Sequence, residues 1–371
     1  MKIICLQENL KNGLITAERI IGKNLTLPIL NNLLLKTDKG KLKISSTNLE
    51  IGINYWASGK IEKEGEITVP AKVLSSIVNQ LPNKKIELEV KDGIIQLKCE
   101  NYKAKIKGQS AKEFPIIPRI QPQTEIEINK GSLRTGLTQV VGMAAISEVR
   151  PEISGVLFSF DKNKLKLVAT DSFRLAEKSI FLKNDFIGAM IVPQRTALEL
   201  IRILSDQAES KEKEDMVKII MGVNQVMFDL GYIQLISRLI DGQYPDYQQI
   251  IPKETIVEAI INREQLLNAL KLTGSFSDKT NEVRISIKEG VKNIELFSAN
   301  PIFGENQYLI PAKLKGEAME IVFNWKFLLD GIKHSETESI TIGLNGDNKP
   351  AIIRPMNVRD YFYIIMPIHN S

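Results

Sequence analysis

Histidine, cysteine and tryptophan are scarce in this chain, which holds only two of each in 371 residues. His334 and His369 both lie late in the sequence, so a histidine-centred catalytic site has little to draw on. Cys5 and Cys99 stand apart, without C-x-x-C spacing or Cys/His clustering, which argues against a disulfide framework or a zinc site. We therefore expect two buried structural thiols, no metal and no cofactor.

Long apolar runs are also missing. No stretch approaches the roughly 20 apolar residues that cross a bilayer, and the first residues show no signal-peptide pattern. We therefore expect a cytoplasmic protein that does not bind membranes.

Motifs of nucleotide-dependent and hydrolytic enzymes are absent as well, among them G-x-x-x-x-G-K-[ST], G-x-G-x-x-G, H-E-x-x-H and G-x-S-x-G. Asp171 and Asp246 are the best acidic candidates for catalysis, but turn or strand-end hydrogen bonding is the favoured role for both. The sequence thus predicts a non-catalytic protein.

What the chain does contain is one supersecondary unit in three copies. A strand, a polar turn and a second strand occupy 33–51, 156–176 and, more faintly, 285–300. Helical spacing of apolar residues follows an initial strand in each copy, at 8–22, 131–145 and 262–275. A second helix follows a strand each time, and proline at two of these entries is predicted to occupy the first helical turn.

Proline-marked segments at 114–118 and 244–252 close the first two copies. The sequence therefore predicts an α+β protein of three tandem domains, 1–120, 121–252 and 253–371. The charged run 205–215 is predicted to be a solvated loop between a helix and a strand.

The net charge of +5 is mild, and the distribution of basic residues is more informative. The non-core positions of all six predicted helices lean basic, and helices aligned by three repeats would form one continuous positive surface matched to phosphates. Such contacts carry no base information, and no aromatic-rich platform accompanies them, so sequence-independent binding of duplex DNA is favoured. The basic positions are Lys11, Arg19, Lys72, Arg134, Arg195, Arg202, Arg263, Lys271, Lys326 and Lys333.

Several short motifs, in the same order from end to end, resemble the family of bacterial replicative sliding clamps, the β subunits of DNA polymerase III. These are Thr26–Leu30, Arg150–Pro151 before Ser154–Phe158, Val168–Ala176, Tyr244–Tyr247 and Ile365–Ile368. The resemblance implies a head-to-tail homodimer that closes into a ring of six similar two-helix, antiparallel-sheet domains around double-stranded DNA. The implied partners are the polymerase III catalytic subunit, the clamp-loader ATPase, and other polymerases and repair proteins that dock through a short peptide.

The resemblance also implies site residues, carried over position by position. The partner-peptide pocket would comprise Ile153, Thr170, Ser172, Phe173, Arg174, Leu175, Pro245, Gln249, Ile250, Pro350, Ile364, Met366 and Ile368. DNA-contact positions fall on Lys23, Asn24, Lys72, Ser147, Pro151 and Glu152. The contact between protomers would join Ala104 and Ile106 in the first domain to Gly274, Ser275 and Phe276 in the third.

Two other functions compete with the clamp. One is a monomeric scaffold of three domains that binds other proteins without encircling DNA, with the basic helix faces serving solubility alone. The other is an enzyme with an active site in a crevice between domains, for which the sequence offers no convincing nucleophile or base. Mass in solution separates the scaffold from a dimeric clamp, and turnover that depends on one carboxylate such as Asp171 would identify the enzyme.

Overall fold

A computed structural model describes residues 1–22, 26–118, 120–206 and 216–368. Within these ranges the chain forms 25 strands and six α-helices. It divides into two compact units, one of Met1–Gly131 with Glu199–Leu239 and one of Ser132–Leu198 with Ile240–Ser371. None of the described helices is long and apolar enough to cross a membrane.

The first repeat supplies eleven elements. They are β1 (Lys2–Leu6), α1 (Gln7–Glu18), β2 (Asn32–Asp38), β3 (Lys41–Thr47), β4 (Ile51–Ala57), β5 (Lys60–Lys63), β6 (Glu66–Pro70), α2 (Ala71–Gln80), β7 (Lys85–Lys91), β8 (Ile94–Cys99) and β9 (Tyr102–Lys107).

The second repeat follows the same order, without a described counterpart of β5. Its elements are β10 (Thr124–Asn129), α3 (Lys130–Val140), β11 (Gly155–Asp161), β12 (Lys164–Thr170), β13 (Arg174–Phe181), β14 (Gly188–Pro193), α4 (Gln194–Ser205), β15 (Met216–Met221), β16 (Gln225–Asp229) and β17 (Ile233–Arg238). The predicted loop at 205–215 lies outside the described residues beyond Asp206.

The third repeat completes the chain. Its elements are β18 (Val257–Asn262), α5 (Arg263–Gly274), β19 (Glu282–Ile287), β20 (Asn293–Asn300), β21 (Gly304–Lys315), β22 (Met319–Asn324), α6 (Trp325–Lys333), β23 (Ser339–Leu344), β24 (Ala351–Pro355) and β25 (Tyr361–Ile365). The predicted α+β class and threefold repetition are confirmed.

All strand pairs are antiparallel, and the strands form three sheets whose orders cross the repeat boundaries. Five strands order as β5-β1-β7-β8-β9, and eight as β10-β15-β16-β17-β4-β3-β2-β6. Twelve strands order as β14-β11-β12-β13-β25-β24-β23-β18-β21-β20-β19-β22. The second repeat is therefore divided, because one half of its strands extends the first repeat's sheet and the other half extends the third's.

Two prolines occupy strand ends, which corrects the prediction of a first-turn position. Pro70 and Pro193 are the last residues of β6 and β14, and both strands lie at sheet edges. An edge strand tolerates proline because the missing N–H removes no bond to a second neighbour. The helices α2 and α4 begin one residue later.

The hairpin turn repeated in sequence has one hydrogen-bonding pattern in all three repeats. Asn48 Oδ1 accepts bonds from two backbone amides two and three residues ahead, and Asp171 and Asn300 do the same. An Asx side chain that replaces backbone partners in this way stabilises a tight turn. The role predicted for Asp171 is confirmed by this geometry.

Candidate functional site

The turn between β12 and β13 organises the candidate peptide pocket. Thr170 Oγ1 donates to the Arg174 carbonyl at 2.8 Å and accepts from the Ser172 amide at 3.1 Å. Ser172 adopts φ +78°, a left-handed conformation that side chains rarely take. The turn thereby presents Phe173 outward, with 62% of its surface exposed.

Arg174 is the electrostatic centre of this turn. Its Nε donates to Asp171 Oδ2 at 2.8 Å, and its Nη1 donates to Asp330 Oδ2 on α6 at 2.5 Å. The guanidinium also lies 4.2 Å from the centre of the Phe327 ring. Burial by itself lowers the pKa of Arg174, but the bonds to Asp330 and Asp171 outweigh it and hold the pKa above its usual value. Arg174 therefore ties β13 to α6.

An apolar cluster forms the floor beneath the turn. Leu175 on β13 lies opposite Ile364 on β25, and each is 1% exposed. The full cluster comprises Leu157, Val168, Leu175, Ile191, Tyr247, Ile352 and Ile364, with Ile240, Tyr244, Ile251 and Phe362 packed against it. Of the predicted pocket residues, Ile153 and Thr170 are buried as well, so these four residues are supporting floor and not open surface.

The remaining predicted pocket residues lie in the turn, at or beside a 3₁₀ helix, before β24 and at the chain end. The Met366 amide donates to the Phe173 carbonyl at 2.8 Å, which brings the chain end beside the turn. The Ile368 amide donates to the Val322 carbonyl of β22 at 2.8 Å. A 3₁₀ helix, Tyr247–Ile250, presents Ile250, while Gln249 Nε2 donates to Asp246 Oδ2 at 2.8 Å. Ser172, Phe173, Gln249 and Ile250 are exposed, and Arg174, Pro245, Pro350, Met366 and Ile368 are half-buried.

Four residues at the pocket were not predicted from the sequence. Tyr247 belongs to the floor and donates its hydroxyl to Glu177 Oε2 at 2.6 Å, and Tyr244 packs beside it. Both stand in the Tyr244–Tyr247 motif, three residues apart, which was a usable signal. Phe327 and Asp330 contact Arg174 from a helix more than 150 residues later in the chain. No local sequence pattern could have predicted these contacts.

The predicted DNA contacts differ in setting. Lys23 and Asn24 lie outside the described residues. Lys72 is exposed on α2, and no ion pair joins it to any residue that the structure describes. Ser147, Pro151 and Glu152 lie in the segment that leads into β11, where Glu152 Oε1 accepts from Arg150 Nε at 3.3 Å.

Five of the ten basic residues predicted on the helices have partners in the described part of the chain. Arg19 pairs with Glu199 at 3.6 Å and with Asp206, and Arg202 also pairs with Glu199. Arg263, Lys333 and Arg195 have partners too. The positions with no ion pair to the described part of the chain are Lys11, Lys72, Arg134, Lys271 and Lys326, the last of which lies over the Trp325 ring.

The predicted interface residues lie at a strand edge and at a helix end. Ala104 and Ile106 are on β9, which has a partner only in β8 among the described strands. Gly274 is buried beneath Trp325, where a Cβ would come within 2.5 Å of the ring, whereas Ser275 is exposed. Thr273 Oγ1 donates to Asn306 Oδ1 of β21 at 3.0 Å, so the end of α5 adjoins this strand.

Three repeats of two helices with antiparallel strands, joined strand to strand and carrying an exposed turn above an apolar cluster at the second joint, have the architecture of a sliding-clamp protein. Family models for the N-terminal, central and C-terminal domains of the DNA polymerase III beta subunit match residues 1–118, 127–246 and 248–369. The chain belongs to this family.

Individual relatives agree with that assignment. The beta sliding clamp of Synechococcus elongatus is 30% identical over 99% of each chain, and that of Synechocystis sp. is 30% identical with the same coverage. The crystal structure of the DNA polymerase sliding clamp from Bacillus subtilis matches all of both chains with a TM-score of 0.94 at 26% identity. A Pseudomonas aeruginosa sliding clamp bound to griselimycin matches equally well.

Proposed function

We propose that this protein is a non-catalytic DNA sliding clamp, which encircles duplex DNA in the bacterial cytoplasm and tethers the replicative polymerase and other partners. The strand-to-strand joining of three repeats carries the proposal, because it leaves one joint incomplete in a single chain. The repeats are assigned to 1–120, 121–252 and 253–371. A tether that keeps the polymerase at a high effective concentration makes synthesis processive without any new catalytic contact.

The two joints within the chain obey one rule. The last strand of a repeat pairs with the strand that follows the Asx turn of the preceding repeat. In the first joint Leu235 of β17 lies opposite Ile53 of β4, and in the second Tyr363 of β25 lies opposite Ala176 of β13. Ile53 and Ala176 each stand five residues after the Asx residue of their turn.

Within one chain this rule leaves two strands without the expected partner. They are β9, the last strand of the first repeat, and β21, which follows the Asx turn of the third repeat. β9 ends its sheet, and β21 meets β18 only at Ala312–Lys315. In the first repeat Ile3 lies opposite Leu88, Leu88 lies opposite Leu97, and Leu97 lies opposite Ala104. The same steps across the sheet lead to Leu235 in the second repeat and to Tyr363 in the third, so Ala104 is their counterpart. Glu305 stands five residues after Asn300.

The closing joint therefore places Ala104 of one chain opposite Glu305 of the other, and Ile106 opposite Phe303. Phe303 is 69% exposed and Ile302 is 83% exposed, so this joint covers apolar surface. Ser275 stands twelve residues after the start of α5, as Arg19 does in α1, and Arg19 contacts α4 across the first joint. A head-to-tail contact of this kind closes into a ring when its rotation returns to the start.

DNA contacts are assigned to five basic residues of the helices, Lys11, Lys72, Arg134, Lys271 and Lys326, with Lys23 and Asn24 added from the resemblance. Because the five helix residues form no ion pair with the part of the chain that the structure describes, their charges are available to displace counterions from phosphates. Ser147, Pro151 and Glu152 are added to this set from the resemblance as well.

The pocket around Arg174 is assigned to partner peptides. Its aliphatic floor and the adaptable Met366 suit the leucine or phenylalanine of a docking peptide, while the fixed turn provides backbone groups that orient it. The polymerase III catalytic subunit, the clamp-loader ATPase, and other polymerases and repair proteins are the proposed peptide donors.

Retention on DNA circles tests this function. The protein is incubated with nicked circular DNA, a clamp-loader ATPase and ATP, and the circles are isolated by gel filtration. A clamp stays with the circle and leaves when the circle is cut, because its attachment is topological. Retention that survives cutting, or a mass in solution near 42 kDa at all concentrations, would instead identify the monomeric scaffold.

A further inference from the structure

A cavity of about 250 Å³ opens on the sheet of the third repeat, and we call it the arginine cavity. Its floor includes Gly343 of β23 and Ile352 of β24, which lie opposite each other and are both buried. The segment after β24, Pro355–Arg359, forms one wall. Sites for small-molecule ligands enclose about 300 to 1,000 Å³, so this cavity suits a side chain better than a cofactor.

The arginine cavity shares part of its floor with the peptide pocket. Leu175, Ile364, Ile352, Gly343 and Glu258 lie opposite one another in turn across five adjacent strands. Ile352 also belongs to the apolar cluster beneath the pocket turn. Neighbouring strands are about 4.8 Å apart, so three strand spacings separate Leu175 from Gly343, or about 14 Å. An extended peptide covers that distance with about four to five residues.

Two arginines in the lining have no ionic partner. Arg354 and Arg359 are both exposed, and neither forms an ion pair with any residue that the structure describes. Glu258 is the one acid among the lining residues, so their ionisable side chains sum to one positive charge. Lys315 lies opposite Glu258 on β21 and adds another, while Asp360 already forms an ion pair with a lysine of β13. The cavity therefore favours an anionic group.

The orientation of the sheet favours a protein over DNA as the source of that group. Tyr363 lies opposite Ile353 and donates its hydroxyl to a carbonyl of α6 at 2.8 Å, so this face of the sheet packs on α6. Side chains alternate along a strand, so Ile352 and Arg354 lie on the other face. Lys326, assigned above to DNA, belongs to α6. The arginine cavity and that helix are thus on opposite sides of one sheet.

We propose that the arginine cavity binds a carboxylate side chain of a partner protein whose docking peptide occupies the peptide pocket. The inference rests on the proposed peptide binding and adds a preference for charge. Arg354 and Arg359 hold the carboxylate above Gly343 and Ile352, because a planar guanidinium can donate two parallel hydrogen bonds to a carboxylate. Partners with an acidic residue about four to five positions from their apolar core are selected over partners without one.

Binding of labelled peptides by fluorescence anisotropy tests this assignment. All share a core of two leucines and a phenylalanine, which stands alone or is joined through four glycine and serine residues to three glutamates or three glutamines, at either end. We expect the glutamate peptide of one polarity to bind the full-length protein about fivefold more tightly than its glutamine counterpart, or about 1 kcal/mol. The advantage should shrink as salt rises, because salt screens exposed charges.

Three double variants identify the residues responsible. R354Q/R359Q should abolish the glutamate advantage and leave the affinity for the core peptide unchanged. The matched control K183Q/K292Q removes two exposed lysines of the same compact unit that lie outside the cavity lining, and it should keep the advantage. In R354E/R359E a lysine extension should bind more tightly than the glutamine extension, a reversal that a merely structural role would not produce.

The outcomes separate the cavity from the pocket. Equal affinities for the glutamate and glutamine peptides, with the core peptide bound, would overturn the arginine cavity alone. An advantage that persists in R354Q/R359Q, or one lost equally in K183Q/K292Q, would do the same. Weaker retention of R354Q/R359Q on DNA circles, with unchanged peptide affinities, would identify DNA as the occupant instead. Failure of the core peptide to bind the wild-type protein would contradict the peptide pocket, and with it the cavity as its extension.

Discussion

Cysteine cross-linking of the closing joint gives the sharpest test of how two chains assemble. The double variant A104C/E305C places one cysteine on β9 and one on β21, which the rule of the internal joints sets opposite each other. Residues directly opposite in an antiparallel pair have Cβ atoms about 4.5 to 5.5 Å apart. A disulfide needs about 3.5 to 4.5 Å, so a shift of roughly 1 Å is enough.

The two native thiols do not obscure this experiment. Cys5 is 4% exposed and Cys99 is 2% exposed, and burial raises the pKa of Cys5 to about 12, so neither forms a reactive thiolate at neutral pH. Mild oxidation of A104C/E305C should therefore give covalent dimers on non-reducing gels, and each single variant should remain monomeric under the same denaturing conditions.

Slipped pairs serve as controls for the register. In A104C/N306C the second side chain points to the other face of the sheet, and in A104C/Q307C the diagonal separation is about 7 to 8 Å. Neither should cross-link efficiently. If A104C/N306C linked as well as A104C/E305C, the register would be wrong, and if neither linked in a protein that is dimeric by mass, β9 and β21 would not be the joining edges.

Three further predictions concern the pocket and the core. Arg174→Met leaves Asp171 without its cation and leaves Asp330 with Lys333 alone, so thermal unfolding should show a loss of about 3 kcal/mol, partly restored in R174M/D330L; an unchanged melting temperature would refute the role of these ion pairs. Deletion of residues 366–371 removes the bond from Met366 to Phe173 and should weaken binding of a docking peptide that carries leucine and phenylalanine, while the mass of the dimer is unchanged; equal affinity would contradict the pocket assignment. Burial raises the pKa of Cys5 in the folded protein from 9.0 to about 12, so its thiol contributes fully to the free energy of unfolding below pH 9 and loses that contribution between pH 9 and 12. The urea midpoint should therefore fall above pH 9 less steeply in Cys5→Ala than in wild type.

Much of the fold was predictable because its signals are local. Apolar spacing placed α1, α3 and α5, and the repeated entries from a strand placed α2, α4 and α6. Alternation with polar turns placed the repeated hairpins at 33–51 and 156–176. The Asx turn at Asp171 followed from residue type alone. Helix ends were less accurate, since α1 ends at Glu18 and α3 at Val140, several residues before the apolar pattern stops.

The pocket was predictable only in part. Family resemblance brought together residues of the turn, of the 3₁₀ helix at Tyr247–Ile250 and of the chain end. In the structure Met366 bonds Phe173 of the turn, and Tyr247 of the 3₁₀ helix packs in the apolar cluster with Leu175. Which of them face solvent was not readable, because exposure depends on what packs above each side chain. Phe327 and Asp330 were missed because their contact with Arg174 spans most of two repeats.

The order of amino acids by itself determined which stretches form helix, strand or turn, because these depend on residues only a few positions apart. The recurrence of the same pattern along the chain determined that one unit is present in three copies. Only the tertiary structure decided which strand edges meet, as at β17–β4 and β25–β13, and which edges, such as that of β9, have no second partner among the described strands. It likewise decided that Arg19 and Arg202 share Glu199, whereas Lys72 forms no ion pair with any residue in the described ranges. Pairing of edges and charges depends on distances in space, which chain separation does not specify.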